Sequence, residues 1–397
     1  MNNITSAFLQ SVRNRTDAFE LIRKVLNTHF PFAIWRLPQT DTIKVLIDLT
    51  SDEQRYGKDL ENVHQSFFIN PYHQNHPIKP LVLSGDLLIK IEGNNAEWQI
   101  SPTVPAHKLE AFEEVVQSGS EMFERKLNDG KEKHPDYEKM VADAVGRIQA
   151  GEMHKVVLSR YKDFDLPENF DALSMFEQLT NRYSNAFCYL TQTQTYGTWM
   201  GATPEKLIAV EQDRYFSTVA LAGTQVIEEG QDLKEIAWRQ KEIEEQAIVG
   251  RYIISCFKKI RLREYDEIGP RTAKAGNLAH LKSSFNVDME ATNSPMLGST
   301  MLELLHPTSA VCGLPRDLAN EFIRTHEDYD RELYAGFLGP VGFSGDSRLF
   351  VNLRCMQLFR HKARLYAGAG ITEDSDPENE LVETDNKMQT LLKVLLS

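Results

Sequence analysis

Hydrophobic and polar positions alternate over several short stretches in the first quarter of the chain. The runs FAIWRL, IKVLIDL, LVLSGDLLIKI and AEWQI lie between residues 30 and 105 and are separated by turn-forming residues. Such runs are typical of β-strands. Residues 154–164 (HKVVLSRYKDF) show a further strand pattern, and residues 186–225 predict a meander of strands interrupted at GATPEK. The first half of the chain is therefore predicted to be rich in β-structure.

Other stretches carry the 3.6-residue period of amphipathic helices. The pattern predicts helices within residues 107–150, over 170–182, over 232–260 and over 316–326. The closing segment PENELVETDNKMQTLLKVLLS is also predicted to be helical, because Pro377 and the acidic residues around it suit a helix N-terminus. Residues 337–371 predict three strands joined by tight turns at SGD and RHK. Because hairpin-length turns join many strands, the pattern favours an α+β fold with a mixed or antiparallel sheet over a doubly wound parallel one.

Composition narrows the class of protein. The chain has 397 residues, of which 41% are hydrophobic, and this is ample for a large core. The net charge of −13 disfavours nucleic-acid binding, which needs a basic face. The polar N-terminus predicts no signal peptide, and the lack of 18 consecutive apolar residues predicts no membrane span. The four cysteines form no CxxC pair, which suits a cytoplasmic protein. Nothing in the sequence demands more than a monomer or a weak homodimer.

The stretch LYAGAGITEDSDPENELVETDNK (residues 365–387) has the most unusual chemistry in the chain. It departs from a dinucleotide fingerprint and from a calcium loop, because both need a glycine where Glu373 and Asn379 stand. Glu380, Glu383 and Lys387 fall on one helical face, and paired carboxylates bind hard cations such as Mg²⁺. The glycines upstream allow backbone N–H groups to approach an anion. The stretch is either a site for a metal-bridged anion or an exposed acidic helix start.

Three other ionisable residues have both a functional and a plain interpretation. Lys155, beside valines in the predicted strand, either extends to water or acts as a desolvated base. Glu205, in the turn of GATPEK, is either a solvated turn residue or a carboxylic acid that protonates a leaving group. Glu245, on the predicted 232–260 helix, lies close to the apolar stripe but is also compatible with an ordinary surface ion pair.

Two residues in apolar surroundings complete the candidates. Arg354 lies within the apolar run NLRCMQL, where an arginine needs a partner such as a carboxylate. Cys312, in the loop HPTSAVCGLP, lacks the context of a nucleophile and is interpreted as a buried structural cysteine.

Taken together, these segments resemble the chorismate-utilising enzymes. HKVVLSR, GATPEKL, ALAGT, KEIEEQAIV, HPTSAVCGLP, YDRELYAGFLG, LRCMQL and YAGAGITEDSDPENELVETDNK occur in the order and approximate spacing of that family. The resemblance covers residues 131–397, whereas residues 1–130 form a divergent β-rich portion. It implies one domain over 1–397, built as an α+β sandwich of two sheets with helices outside, which binds chorismate with Mg²⁺.

The resemblance also implies a role for each matching residue. Lys155 is the implied base and Glu205 the implied acid. Glu245 and Glu383 are implied ligands of Mg²⁺, with Glu380 binding directly or through water. The implied substrate-binding residues are Thr224, His280, Ala310, Tyr334, Arg354, Gly368 (through a backbone N–H) and Lys387.

Lysine at position 155 implies the water-adding branch of the family. The implied activity is isochorismate synthase, which feeds menaquinone or catechol siderophore biosynthesis, and the alternative is salicylate synthase. A catalytically silent chorismate-binding protein is a rival of another class. The chain departs from the family pattern at four positions. It has Ile243 and Gln246 where arginine and histidine are common, and Glu332 and Phe337 where glycine and proline are usual.

Overall fold

The computed structural model describes residues 8–50, 54–55, 59–72, 80–119, 136–227, 231–275 and 278–396. Over these residues the chain forms two antiparallel sheets with helices packed against them. The strands, in chain order, are β1 (Phe32–Arg36), β2 (Ile43–Ile47), β3 (Gln54–Arg55), β4 (Ser66–Asn70), β5 (Leu81–Ser84), β6 (Leu87–Glu92), β7 (Asn95–Ile100), β8 (Lys155–Asp165), β9 (Phe187–Thr193), β10 (Gly197–Thr203), β11 (Lys206–Glu211), β12 (Tyr215–Val226), β13 (Asp266–Ala275), β14 (Leu278–Asp288), β15 (Gly313–Leu314), β16 (Phe337–Val341), β17 (Ser347–Val351), β18 (Cys355–Leu358) and β19 (Lys362–Ile371).

The helices lie outside the sheets. They are α1 (Arg15–Leu26), α2 (Ala106–Ser118), α3 (Tyr137–Gln149), α4 (Ala172–Arg182), α5 (Gln240–Lys259), α6 (Leu297–Leu305), α7 (Arg316–His326) and α8 (Pro377–Leu395). In the described part of the chain, none of them is both long and apolar enough to cross a membrane.

The two sheets are long and use strands from both ends of the chain. The ten-stranded sheet A has the order β15-β8-β19-β18-β10-β9-β1-β2-β6-β7, and the nine-stranded sheet B has the order β13-β14-β12-β11-β17-β16-β4-β5-β3. Strands of the first hundred residues thus continue the sheets that the C-terminal strands form. The predicted α+β sandwich with outer helices is confirmed.

Alternation along β1 explains how the core is divided. Ala33 and Trp35 belong to the apolar cluster between the sheets, whereas Phe32 and Ile34 belong to the cluster between sheet A and its helices. Both faces of this strand are buried, so its sequence is continuously hydrophobic rather than alternating. Across the sandwich, the rings of Phe187 and Phe350 stack with centroids 4.2 Å apart, which joins β9 to β17.

Two predicted elements differ from the structure. The helix predicted over 232–260 begins only at Gln240, because residues 233–235 form a 3₁₀ turn capped by Asp232. The indole of Trp238 also bonds to the Thr272 hydroxyl, which holds the segment before the helix against β13. Residues 337–371 form four strands rather than three. The additional turn falls at Arg354, which has a φ of 48° and lies between β17 and β18 rather than within a strand.

A pair of buried carboxylates joins β2 to the β5–β6 turn. Asp48 accepts hydrogen bonds from the backbone N–H groups of Thr50 and Ser84, and Asp86 accepts one from Leu49. Burial, and then the charge of Asp48, raises the pKa of Asp86 from 3.8 to about 6, although the Leu49 N–H opposes the shift. The folded state therefore holds this proton more tightly than the unfolded state, and stability is lost as the pH rises through about 6.

Asp86→Asn should stabilise the protein at pH 7.5 by about 2 kcal/mol, because the amide keeps an acceptor for Leu49 and removes the repulsion. The advantage should disappear as the pH falls toward 4. Urea unfolding at both pH values measures it. Asp48→Asn is the matched control and should destabilise, because that carboxylate accepts three hydrogen bonds. Equal effects of the two variants at pH 7.5 would contradict the assignment.

Candidate active site

Lys155 begins strand β8 and points toward helix α5. Its Nζ donates a hydrogen bond to Glu245 Oε1 at 2.8 Å, and its side chain is only 12% exposed. The long β8–β19 pairing places Gly370 next to it: a Cβ at that glycine would lie 2.8 Å from Lys155 Cε. The predicted candidates Lys155 and Glu245 are therefore in direct contact, and a residue without a side chain makes room for the lysine.

Helix α5 is fixed on strand β12 by Gln246. Its side-chain amide accepts from the Ala222 N–H and donates to the Ala220 carbonyl and the Ser283 hydroxyl. The neighbouring Glu245 Oε2 accepts the Gly223 N–H at 3.2 Å. Burial raises the pKa of Glu245, but the Lys155 ammonium and its hydrogen bond outweigh this effect, so the pKa is lowered overall. Glu245 is thus held as a carboxylate at the site.

Helix α8 carries the acidic residues of the 365–387 stretch. Pro377 occupies its first turn, and Asp376 caps it by accepting the Asn379 N–H, as the sequence indicates. Glu383 accepts a hydrogen bond from Lys387 Nζ at 2.5 Å, and Glu380 accepts one from the Ser375 hydroxyl at 2.7 Å. Glu380 and Glu383 are therefore each held by a hydrogen bond within the stretch, although the Glu383 side chain is still 49% exposed.

Lys387 connects α8 to the glycine strand β19. Its Nζ donates to the Gly368 carbonyl at 2.8 Å. This contact uses the carbonyl of Gly368, and the role of a nearby N–H toward a ligand stays a prediction. Burial lowers the pKa of Lys387, and the nearby Arg354 charge acts in the same direction, against the Glu383 and Glu380 carboxylates.

Glu205 lies in the turn between β10 and β11. Its backbone is fixed at both groups: its N–H donates to the Thr203 hydroxyl and its carbonyl accepts from Val351. Burial raises the pKa of its carboxyl to about 7, although Arg354, Lys155 and Lys387 lower it. The sequence interpretation of Glu205 as a solvated turn residue does not describe this half-buried carboxyl, which can hold a proton near neutral pH.

Tyr334 lies just before β16, and Arg354 lies in the turn after β17. Burial lowers the pKa of the Arg354 guanidinium, against the Tyr334 hydroxyl and the carboxylates of Glu205 and Glu383. Tyr334 is buried and stacks on Tyr366, and a Cβ at Gly368 would lie 2.9 Å from its hydroxyl oxygen. The carboxylates predicted near Arg354 are therefore those of Glu205 and Glu383, which attract it at longer range. Among the described residues, neither forms a hydrogen bond with the guanidinium.

The remaining candidates lie on β12, on β14 and in the loop after α6. Thr224 pairs with His280 across the two strands; the Thr224 side chain lies outside the described part. His280 Nδ1 lies 3.0 Å from the Gly223 carbonyl, and burial lowers the pKa of its imidazole. Ala310 lines a cavity together with Glu205. The charges of Arg354, Glu245 and Lys387 also act on His280, so β14 lies near the same charged groups.

The four positions that depart from the family pattern lie in different surroundings. On α5, Gln246 is buried and hydrogen-bonded, whereas Ile243 is exposed. Glu332 has a φ of 47°, which explains why glycine is usual there. Phe337 is buried in β16 with its ring edge on His306.

Gly370 is absent from the predicted site residues, although its place two residues after Gly368 on the strand puts it on the same face.

Gly370→Ala should lower kcat about 100-fold with little loss of stability. The added methyl displaces the flexible end of Lys155, and a displacement of about 1 Å at a reacting group has an effect of this size. Steady-state kinetics and thermal unfolding measure the two quantities. Gly146→Ala is the control: it lies in α3 with no atom near the new methyl, so it should keep kcat and stabilise. An unchanged kcat in Gly370→Ala would contradict the placement of Lys155.

The donor chemistry at the site suits a hard divalent cation, because Glu245, Glu380 and Glu383 offer only carboxylate oxygens. Among the residues that the structure describes, however, no three acidic, histidine or cysteine side chains are gathered closely enough to hold a metal ion. Instead, Lys155 and Lys387 neutralise Glu245 and Glu383. A metal would therefore have to replace these two lysine contacts.

Comparison with known proteins gives the family. The chorismate binding enzyme family matches residues 86–396. The chain belongs to the chorismate binding enzyme family. Within the family, it is 29% identical to isochorismate synthase DhbC of Bacillus subtilis over 314 residues, which cover 74% of this chain and 78% of the relative. It is 30% identical to isochorismate synthase MenF of Escherichia coli over 281 residues, which cover 68% of this chain and 63% of the relative.

This chain also has the same fold as solved structures of other proteins. The chain is similar to MenF, described as the menaquinone-specific isochorismate synthase of Escherichia coli, with a TM-score of 0.76 and 24% identity. The similarity covers 100% of this chain and 92% of that one. It therefore includes the first 85 residues, which the family match leaves out.

Proposed function

We propose that the protein is an isochorismate synthase, which converts chorismate to isochorismate with Mg²⁺. The observation that carries the proposal is the pair formed by Lys155 and Glu205. Among the described residues, Lys155 forms one hydrogen bond, to Glu245. It faces the same site as the Glu205 carboxyl, whose pKa is about 7. One side chain that accepts a proton and one that donates it are what an exchange of hydroxyl positions needs.

In this proposal, the Lys155 ammonium that pairs with Glu245 in this structure first gives up a proton to solvent. The amine then takes a proton from a water molecule as the water oxygen bonds to ring C2. The ring double bonds shift and the C4–O bond breaks. Glu205 transfers its proton to the departing hydroxyl, which leaves as water. One water is added and one is lost, so the product is an isomer of chorismate. Lys155 then carries the extra proton and Glu205 the charge, and solvent restores both.

The same geometry supports the binding of a dicarboxylate. Arg354 and Lys387 supply positive charge at the site, and Tyr334 offers a hydroxyl beside Gly368. A carboxylate placed beside Glu245 or Glu383 would be repelled by about 4 kcal/mol at close range. When Mg²⁺ is bound, with Glu245 and Glu383 as ligands and Glu380 direct or through water, it would turn this repulsion into attraction.

Incubating the purified protein with chorismate and Mg²⁺ tests the function. Chromatography of the products should show isochorismate, and EDTA should stop its formation. Salicylate fluorescence without an added lyase would instead indicate salicylate synthase. Binding of chorismate without any product would indicate a catalytically silent relative.

A further inference from the structure

A small cavity lies beside Glu205, between the loop after α6 and the face of sheet B that α5 covers. Its volume is about 20 Å³, and one water needs about 10–15 Å³. Its polar lining consists of Glu205, Lys206, Thr218, Tyr252, Thr308 and Ser309. The cavity is therefore large enough and polar enough for a single water molecule.

Two hydroxyls that line this cavity are buried without a partner. Among the described residues, no group forms a hydrogen bond with Thr308 Oγ1 or Ser309 Oγ, and Ser309 is only 3% exposed. A buried hydroxyl without a hydrogen bond costs about 1–3 kcal/mol. Two adjacent hydroxyls in that condition, on residues that line the same cavity, indicate a small polar ligand that both can bind.

The other polar groups of the lining are already engaged. Thr218 Oγ1 donates to the Leu207 carbonyl at 2.7 Å, and the Tyr252 hydroxyl donates to the Leu304 carbonyl at 2.9 Å. Lys206 Nζ donates to the Ser217 hydroxyl at 2.9 Å. Glu205 supplies the only carboxyl of this lining, and among the described residues no group donates a hydrogen bond to that carboxyl. It is therefore the charged acceptor available to a ligand held by Thr308 and Ser309.

We propose that Thr308 and Ser309 hold one buried water against the Glu205 carboxyl and so act as positioning residues for the general acid. Both hydroxyls donate to the water oxygen, and the water donates to Glu205. This hydrogen bond favours the carboxylate that remains after proton transfer. The inference rests on the role proposed for Glu205 and adds to it a fixed polar ligand in a cavity whose lining does not include the cations Arg354, Lys155 and Lys387.

The test compares the titration of Glu205 in the full-length protein, in Thr308→Val, in Ser309→Ala and in the double variant. Infrared difference spectra across pH follow its carboxyl band, which Glu205→Gln assigns by removing it. The double variant should bind this proton about fivefold more tightly, which corresponds to the loss of one hydrogen bond. Thr218→Val is the matched control: it removes a cavity hydroxyl that is bonded elsewhere, so the Glu205 titration should not move.

A high-resolution crystal structure of the unsubstituted protein gives an independent readout. Density for a water bonded to Ser309 and Glu205 is expected, and its absence would overturn the proposal whether or not the variants fold. An unmoved titration in the double variant would also overturn it. Because neither measurement needs turnover, a protein that fails to convert chorismate but shows the water and the shift would refute the proposed function while leaving this site intact.

Discussion

Replacing Lys155 with alanine should lower the rate of isochorismate formation at least about 1,000-fold while chorismate still binds. A positioned general base raises the rate of a reaction by about 100- to 10,000-fold. No other described lysine forms a hydrogen bond with Glu245. The positive charges of Arg354 and Lys387, which are proposed to bind the substrate carboxylates, are unchanged. Calorimetry with chorismate and single-turnover kinetics separate the loss of chemistry from a loss of binding.

Lys162→Ala is a matched control for this variant. Lys162 also lies on β8, but it pairs with Asp385 on helix α8. Among the described residues, it forms no hydrogen bond or ion pair with a predicted site residue. It should keep the full rate. If Lys155→Ala keeps turnover within tenfold of the unsubstituted protein, Lys155 is not the base. If chorismate binding is lost as well, the lysine serves mainly to bind substrate.

Glu205→Gln should lower the rate by a similar factor, because the amide keeps the shape of the side chain but cannot release a proton. The pH dependence supplies a second, independent readout. Since the acid must be protonated and its pKa is about 7, the Glu205 contribution is present below this value and is lost above it. The unsubstituted protein should therefore lose kcat/KM as the pH rises above 7, and the residual rate of Glu205→Gln should lack that limb.

Folding of Glu205→Gln can be checked by its thermal stability. Burial disfavours the carboxylate, so the neutral amide should make the protein at least as stable as the unsubstituted one at pH 8. A variant that is stable and inactive isolates the chemical role. A variant that is active, or a limb above pH 7 that survives in it, would show that another group donates the proton.

Periodic patterns predicted much of this fold because they report local preference and burial. Helix α8 was predicted from its proline and its acidic start, since these residues act within one turn. The start of α5 was predicted wrongly because the 3₁₀ turn and the Trp238–Thr272 contact depend on a strand distant in sequence. The turn at Arg354 was missed because Asn352 is its only turn-forming residue and stands within an otherwise apolar run.

Prediction of the site from sequence is limited in the same way, because contacts between distant residues decide it. The 365–387 stretch allowed two interpretations, and its residues prove to divide between them: Glu383 bonds to a site lysine, whereas Asp376 caps the helix. Only the fold could show that Glu245 contacts Lys155, because 90 residues separate them. Likewise, no local pattern predicted the unpaired hydroxyls of Thr308 and Ser309, since burial of those groups arises from packing against α5 and sheet B.

Product analysis in H₂¹⁸O tests the central claim most directly. The purified protein is incubated with unlabelled chorismate and Mg²⁺ in labelled water, and the product is identified by mass spectrometry. The proposed water addition predicts isochorismate with labelled oxygen at C2, formed by the unsubstituted protein but not by Lys155→Ala. Isochorismate without the label would contradict the attack of water, and an absence of any product would contradict the proposed activity itself.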